Sequence, residues 1–318
     1  MSKYFPMKPQ RISLIALLLA NSLFLGLRAQ QLPLTSQYMF NYLLLNPAVA
    51  GTNEEKIMLR LQNRNQWVGL EGAPITQMAS VHGRVNAWNI GLGAYVINDV
   101  IGPTHQLSFQ TNYSYQFHAT ENSNLSFGLG LGLLQSKIDI GKLTTDIPND
   151  NALIKAGAES AILPDAGFGA LWYNQKFYLG GAVPHILGSA IKKNGFYLNR
   201  NYLLMGGVSF ELNEEITIEP SVVVRIASPT PVSADINTRV LVKNTLWIGA
   251  SYRTSDAVVF LAGIQLAGFR FGYSYDLTTS ELDTFSHGSH EIMLGYDFIR
   301  RGYRRSSSKQ FSTPTSFM

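Results

Sequence analysis

The sequence predicts a transmembrane antiparallel β-barrel of about 14 strands. Apolar residues alternate with polar or very small ones along most of the chain, and the apolar faces of the predicted strands carry almost no charge. Connections between the predicted strands are short at one end and long at the other. Charged residues make up 14% of the 318 residues, well below the about 25% of soluble domains. A barrel of this length forms a single unit rather than two domains.

The alternation is clearest around residues 107–117. Its odd positions hold Leu, Phe, Thr, Tyr, Tyr and Phe, and its even positions hold Ser, Gln, Asn, Ser and Gln. Successive strand residues point to opposite faces, so each predicted strand has one apolar face and one polar or small face. Both the even number of strands and their length suit a bilayer-spanning barrel. The fourteen predicted strands lie near 57–66, 75–85, 89–98, 105–118, 124–137, 164–173, 176–183, 201–212, 215–227, 231–243, 245–254, 257–266, 267–277 and 289–298.

The predicted connections support a barrel of the outer membrane. Short periplasmic turns and longer outer loops are typical of such barrels. Two outer loops, at 228–230 and 255–256, are short and add nothing to this argument. The other predicted outer loops are 67–74, 138–163, 184–200 and 278–288, whereas the predicted periplasmic turns are 86–88, 119–123, 174–175, 213–214, residue 244 and Ala267.

Charged residues within the predicted strands lie on the face that points away from lipid. A soluble β-sandwich also alternates, but it does not need an uncharged face through fourteen strands, as lipid does. We interpret the inward charges as a salt-bridge network that fills the lumen, with a binding surface as the alternative. The network residues are Arg60, Arg64, Arg84, Arg225, Arg239, Arg253, Arg270, Glu219, Asp235, Asp276, Glu291 and Asp297.

The charge distribution divides the chain into four parts. Residues 1–29 carry four basic residues, an apolar stretch and a small residue at Ala29, which predicts a cleaved export signal. Residues 30–56 form a plug or lead-in segment, 57–298 the barrel, and 299–318 a periplasmic tail with five basic residues and no acid. The positive charge lies in the signal and the tail, so a nucleic-acid partner is not indicated.

Several short motifs together resemble the PorP/SprF family of type IX secretion proteins from Bacteroidota. They are Gln37-Tyr38-Met39-Phe40-Asn41, Asn46-Pro47-Ala48-Val49-Ala50-Gly51, Arg64-Asn65-Gln66-Trp67-Val68-Gly69, Gly72-Ala73-Pro74-Ile75-Thr76, Gly288-Ser289-His290-Glu291-Ile292 and Tyr296-Asp297-Phe298. The resemblance implies an outer-membrane accessory barrel that binds other type IX components. It also implies a role in secreting or anchoring a large cell-surface adhesin used in gliding or attachment.

The segment before the first strand has a physical interpretation of its own. Thr35 or Ser36 can cap a short helix over residues 37–45, and Asn46-Pro47 would end it. Asn46-Pro47-Ala48 also resembles the NPA box of FadL-type transporters, whose N-terminal segment plugs a fourteen-stranded barrel. A lumen plug and a periplasmic lead-in both remain open. The alternative function is a FadL-like channel for small apolar molecules, although the Arg-rich inward face disfavours an apolar path.

Catalytic, metal and cofactor sites are not predicted. The chain has no cysteine, which excludes disulfides and thiol chemistry. Gly128-x-Gly130-x-Gly132 lies inside a predicted strand without a following helix, so it does not suit phosphate. His287 and His290 alone make a weak metal site, and no Ser–His–acid spacing indicates an enzyme.

Partner contacts are expected outside the membrane. Trp67, Gly69 and His290 are candidates at the outer face, with an aromatic girdle as the alternative role for Trp67. The basic tail could bind an acidic periplasmic partner by salt-sensitive attraction, or it could be an inactive end. The outer-membrane lipid itself is the remaining partner.

Overall fold

The computed structural model describes residues 33–85, 89–139, 158–188, 192–193, 196–227 and 230–300. The predicted signal (1–29), residues 301–318 of the predicted tail and residues 140–157 of the predicted outer loop lie outside these ranges. Within them, the helices are all too short or too polar to cross a membrane.

The described residues form a closed antiparallel barrel of fourteen strands, which confirms the predicted fold class. Each strand pairs with the next, and the last pairs with the first from Lys56–Ile299 to Asn65–His290. The strands are β1 Lys56–Asn65, β2 Ile75–Val85, β3 Ile90–Ile101, β4 Thr104–Thr120, β5 Ser123–Asp139, β6 Ala158–Tyr173, β7 Phe177–Val183, β8 Asn201–Val208 with a continuation at Phe210–Glu211, β9 Ile216–Ala227, β10 Ser233–Val242, β11 Leu246–Arg253, β12 Ala257–Leu266, β13 Phe269–Thr278 and β14 Ser289–Ile299.

The sixth strand is longer than the sequence predicts. It starts at Ala158 instead of residue 164, because it pairs with β5 as far as Asp139. Pro164 is tolerated inside it because β7 ends at Val183, opposite Phe168. At Pro164, β6 therefore has a neighbour on the β5 side only, and proline is compatible with such an edge position.

The eighth strand and the following predicted outer loop also depart from the prediction. The eighth strand, predicted as continuous over 201–212, is interrupted at Ser209, whose amide donates to the carbonyl of Lys176 at 2.6 Å. The predicted outer loop 184–200 contains a short hairpin that pairs Lys192–Lys193 with Phe196–Tyr197. Its Phe196 packs in a small apolar cluster with inward-facing Leu134 and Leu163, so this loop folds back over the mouth of the lumen.

The two faces of the wall follow the predicted alternation. Large apolar side chains such as Phe109, Leu129 and Val222 are exposed on the outer surface, as a lipid-facing wall requires. The inner face is less polar than the sequence predicts, because some strands also turn apolar residues inward. Leu171, Val223, Trp247 and Met293 all face the lumen and are buried there.

The ends of the barrel differ in their connections. At the end where β1 begins and β14 finishes, described turns are as short as 121–122 and 267–268; we call this the turn end. The opposite, loop end carries connections such as 66–74 and 279–288. Aromatic pairs mark the outer surface near the turn end, among them Phe117–Phe127, Trp172–Phe177 and Tyr296–Phe298.

Candidate functional site: a segment held inside the barrel

Residues 35–54 lie in the lumen and are buried, apart from a partly exposed Leu44. The segment runs from the loop end to the turn end. At its start, the Ser36 hydroxyl donates to Asp276 Oδ2 at 2.7 Å, near the outer end of β13. At its finish, Arg84 Nη1 lies 2.6 Å from Glu54 Oε1, near the inner end of β2. The segment therefore crosses the full height of the barrel before β1 begins.

The segment consists of 3₁₀ turns rather than the predicted helix over 37–45. Its turns span Tyr38–Phe40, Tyr42–Leu44 and Pro47–Val49. Thr35 and Ser36 do not cap a helix, because their side chains bind Glu291 and Asp276 of the barrel wall instead. Competition from buried carboxylates thus outweighs local helix capping at this position.

The Asn46-Pro47-Ala48 motif joins the segment to β6 and β7. Asn46 caps the third turn, since its Oδ1 accepts from the amide of Ala48 at 2.9 Å, and Pro47 supplies the fixed φ that suits the first position of a turn. The Asn46 amide group donates to the carbonyls of Ala170 and Gly181, at 3.1 and 3.3 Å. One side chain therefore shapes the segment and also binds it to two strands.

Glycines in the wall allow the segment to approach the strand backbone. A Cβ atom on Gly91 would overlap the carbonyl of Ala50, and one on Gly128 would overlap the backbone at Ala48. A Cβ on Gly169 would overlap the Asn46 side chain. The contact between Gly128 and Ala48 explains the first glycine of the Gly128-x-Gly130-x-Gly132 run as a packing feature.

Polar residues of the family motif are also bound to the wall. Gln37 Nε2 donates to the carbonyl of Glu291 at 3.0 Å. Asn41 donates to Gln62 Oε1 and accepts from the Ser80 hydroxyl, both at 2.8 Å. Gly51 adopts a φ of 63° and packs closely against Gly91. A Cβ on Gly51 would lie 2.6 Å from the Cα of Gly91.

The aromatic residues of the segment pack against the wall formed by β7, β9 and β11. Tyr42 shares a hydrogen bond between phenol groups with Tyr178 of β7, and Phe40 lies 4.6 Å from the Trp247 ring between centroids. The Tyr38 hydroxyl lies 3.5 Å from that of Ser221.

A charged cluster surrounds the start of the segment. Arg64 lies 2.7 Å from Asp276 and 3.3 Å from Glu291. Arg253 also contacts Asp276, at 3.3 Å, and Asp235, at 2.9 Å. Glu291 accepts hydrogen bonds from Thr35, from the amides of Ser36 and Gln37, and from Gln62, at 2.6 to 3.2 Å. Asp235 also pairs with Arg225, so the whole cluster is continuous.

The other predicted network residues form separate groups nearer the turn end. Asp297 pairs with Arg60 at 2.6 Å and with Arg270 at 3.0 Å. Arg239 pairs with Glu219 and lies over the Phe40 ring, 4.7 Å from its centroid. Thus every residue of the predicted network has an ionic partner in the structure.

Some partners were not predicted. Arg84 has its carboxylate in Glu54, which lies in the luminal segment and not in a strand. Ser126 of β5 donates to the Ala48 carbonyl at 2.6 Å. Strand parity identifies inward residues, but it cannot predict where an irregular segment will place its side chains.

The predicted outer contacts occupy two different environments. Trp67 and Gly69 lie in the 66–74 loop, which is tied to the 279–288 loop by bonds between Val68 and the backbone of Gly288 and His287, at 2.8 and 2.7 Å. His290 instead lies on the outward face of β14, where its Nδ1 is 2.7 Å from the Tyr273 hydroxyl. In the described part of the chain, His, Asp and Glu residues form no group arranged to hold a metal ion.

Comparisons with known proteins agree with this architecture. Residues 27–296 match the family described as Type IX secretion system membrane protein PorP/SprF. No curated protein matches the sequence at a significant level.

Similar solved structures are outer-membrane transporters and porins. The Ralstonia pickettii toluene transporter TbuX has a TM-score of 0.50 and 11% identity, covering 83% of this chain and 94% of its own. The CymD monoaromatic hydrocarbon channel has a TM-score of 0.49 and 12% identity, with coverage of 85% and 94%. The KdgM porin has a TM-score of 0.38 and 9% identity, with coverage of 76% and 99%. Sequence identities this low show a similarity of fold alone.

The family match covers the luminal segment and nearly the whole barrel described above. The chain therefore belongs to the PorP/SprF family of type IX secretion system membrane proteins and is a multi-pass β-barrel of the outer membrane.

Proposed function

We propose that this protein is an accessory barrel of the type IX secretion system that binds, and helps to secrete or anchor, a large cell-surface adhesin. In this proposal it acts by contacting proteins rather than by catalysis. The turn end faces the periplasm and the loop end faces the cell surface, the orientation that short turns and long loops favour in outer-membrane barrels.

The observation that carries the proposal is the firm attachment of residues 35–54 inside the lumen. Glu291 holds the start of the segment through three hydrogen bonds to Thr35, Ser36 and Gln37. Gly91, Gly128 and Gly169 fit it against β3, β5 and β6. A lumen filled in this way works as a plug, and it leaves the two ends of the barrel as the surfaces for partners.

The 66–74 loop is the candidate docking surface at the loop end. Its two backbone bonds to residues 287 and 288 hold it in one arrangement, and Trp67 N donates to the Ser289 hydroxyl at 3.0 Å. A partly exposed Trp on a well-anchored loop is the kind of residue that carries binding energy at protein interfaces. Preorganisation of the loop lowers the entropy cost of association.

A diffusion channel for small apolar molecules is less compatible with this lumen. Such a channel needs a continuous apolar path. In this lumen, the plug lies beside the buried ion pairs of Arg64 and Arg253 with their carboxylates. We therefore do not propose a transport role, although the fold resembles that of hydrocarbon channels.

The test uses the native host. A strain that lacks the gene is complemented with the wild-type protein, with Trp67→Ala, or with a protein lacking residues 140–157. Trp172→Ala is the matched control, because Trp172 is an exposed aromatic residue of the membrane-facing wall near the turn end. Surface adhesin is quantified by antibody labelling of intact cells, and barrel abundance by immunoblot of outer membranes.

The proposal predicts that the gene deletion abolishes surface adhesin. It also predicts that Trp67→Ala or the loop deletion lowers surface adhesin at unchanged barrel abundance, while Trp172→Ala does not. Normal adhesin display in the deletion strain would contradict an accessory role in secretion or anchoring.

A further inference from the structure

The membrane-facing wall has a notch near the turn end, across β1, β2 and β3. Its volume is about 370 Å³, and its apolar walls come from Ile57, Val81 and Leu92. These three side chains are exposed on the outer surface of the barrel, so the notch opens toward lipid and not toward the lumen.

Two small residues create this notch. Gly83 lies between Ile57 and Leu92 in the strand register, and Ala94 lies beside Val81. On the strands to either side, outward positions near the turn end carry packed aromatic side chains, such as Phe117 with Phe127 and Tyr296 with Phe298. Between these two aromatic pairs, Gly83 and Ala94 leave room on the wall.

A cation borders the notch at its turn-end side. The Arg300 amide donates to the Glu55 carbonyl at 3.0 Å, which continues the pairing of β14 with β1. The Arg300 guanidinium reaches across to the carbonyl of Arg84, the residue that follows Gly83. This bond holds the positive charge at the membrane boundary beside the apolar surface.

The sequence around this position is strongly basic. Glu55 is an exposed acid close to the site, but residues 299–318 contain five basic residues and no acid. At the notch itself, the Arg300 guanidinium favours an anionic group at the periplasmic boundary of the membrane.

An apolar depression in a membrane-embedded wall has to be filled, since an empty one loses dispersion contacts on every side. We infer that the notch holds an acyl chain of an anionic glycerophospholipid from the periplasmic leaflet, with the lipid phosphate against Arg300. Charge-assisted hydrogen bonds between guanidinium and phosphate are short and directional. Such a lipid would tie the start of the basic tail to the membrane surface, a role separate from adhesin binding.

The inference is tested on the purified mature barrel in detergent by native mass spectrometry. The probes are phosphatidylglycerol and phosphatidylcholine with identical acyl chains. Arg300→Gln removes the cation, and Lys243→Gln is its control, because Lys243 is an exposed cation in another turn at the same end. Ala94→Leu fills the notch, and Ala262→Leu enlarges an exposed outward alanine of β12.

The wild-type barrel should retain phosphatidylglycerol over phosphatidylcholine. Arg300→Gln should weaken phosphatidylglycerol retention roughly fivefold, the effect expected of one basic residue at an anionic surface. Ala94→Leu should lower retention of both lipids, and neither control should change it. Equal retention of the two lipids, or equal effects of Arg300→Gln and Lys243→Gln, would overturn the inference.

A photo-crosslinking amino acid at Leu92 in the native host separates lipid from protein as the occupant. The inference predicts adducts of lipid mass only. A discrete protein adduct at Leu92 would overturn it and assign the notch to a protein partner.

Discussion

Gly128 lies directly against the backbone of Ala48, so close that a Cβ atom on Gly128 would overlap the Ala48 nitrogen. Gly128→Ala should therefore force the plug away from β5. Overpacking of this kind costs about 1–3 kcal/mol. The free energy of unfolding can be measured by urea titration of the folded band on unboiled gels.

The control for this substitution is Gly167→Ala. Gly167 also faces the lumen, but its Cβ would lie 3.5 Å from Pro184 Cα, which is an ordinary contact. Gly167→Ala should leave the unfolding free energy nearly unchanged. Equal effects of the two substitutions would mean that the plug does not pack against β5 in the membrane.

Arg64 should be the most sensitive member of the charged cluster. Arg64→Met removes the positive charge beside Glu291, while Asp276 keeps Arg253 as a partner. Leaving a buried carboxylate unpaired costs about 3–5 kcal/mol. The free energy of unfolding should fall by this amount, and the Arg64→Met/Glu291→Gln double variant should regain part of it, because the remaining side chain is neutral.

An exposed ion pair provides the contrast. Lys243 lies 3.3 Å from Glu215, with both side chains more than half exposed. Lys243→Met should change the unfolding free energy by about 0–1 kcal/mol. A loss as large as that of Arg64→Met would show that burial is not the reason for the sensitivity.

The barrel was predictable from sequence because lipid imposes one rule on every strand. Outward positions such as Leu129 must be apolar, while inward positions such as Arg64 escape that rule, so period-two alternation revealed both faces. Strand ends were less predictable. The predicted start of β6 at residue 164 is six residues late, because the strand continues beyond Pro164 on the β5 side. The early end of β7, which leaves Pro164 without a strand neighbour on its other side, is a tertiary feature.

The sequence left a lumen plug and a periplasmic lead-in as alternatives, and it did not predict the conformation of residues 35–54. The sequence predicts Ser36 as a candidate helix cap, but its side chain binds Asp276, a residue 240 positions away. Glu54 likewise precedes the first strand, and nothing in the local pattern pairs it with Arg84. Contacts of this kind depend on closure of the whole barrel, which local propensity does not contain.

The two faces of β9 should respond differently to charge. Val222 is exposed on the lipid side, and the adjacent Ser221 faces the lumen near Tyr38. Val222→Arg and Leu129→Arg should each cost about 2–4 kcal/mol near the membrane midplane, and Ser221→Arg should avoid this lipid cost. Folding yield in bilayers of defined composition measures the contrast, and its absence would contradict the assignment of faces.

Gly130 also faces the lumen, but Gly130→Arg is unsuitable as a second control beside Ser221→Arg. A Cβ at this position would overlap the Gln110 side chain, so Gly130→Arg would fail for steric reasons. Ser221 and Val222 of β9 avoid this problem, because they point to opposite faces of the wall at nearly the same depth in the membrane.

The course of the plug predicts on which side of the membrane the residues just before Thr35 lie. The plug starts beside Asp276 at the loop end and finishes beside Arg84 at the turn end. Residues just before Thr35 should therefore be reachable from outside the cell, and Glu55 only from the periplasm. The chain contains no cysteine, so single-cysteine variants can be labelled without background.

Leu34→Cys should react with a membrane-impermeant maleimide in intact cells, because Leu34 is partly exposed at the loop end. Glu55→Cys should react only after the outer membrane is permeabilised, and it serves as the control for leakage. A lead-in that stayed in the periplasm would instead leave Leu34→Cys protected in intact cells, and both positions would be labelled together after permeabilisation. Labelling of Leu34→Cys from outside would distinguish a threaded plug from such a lead-in, because no periplasmic path could expose this residue to the reagent.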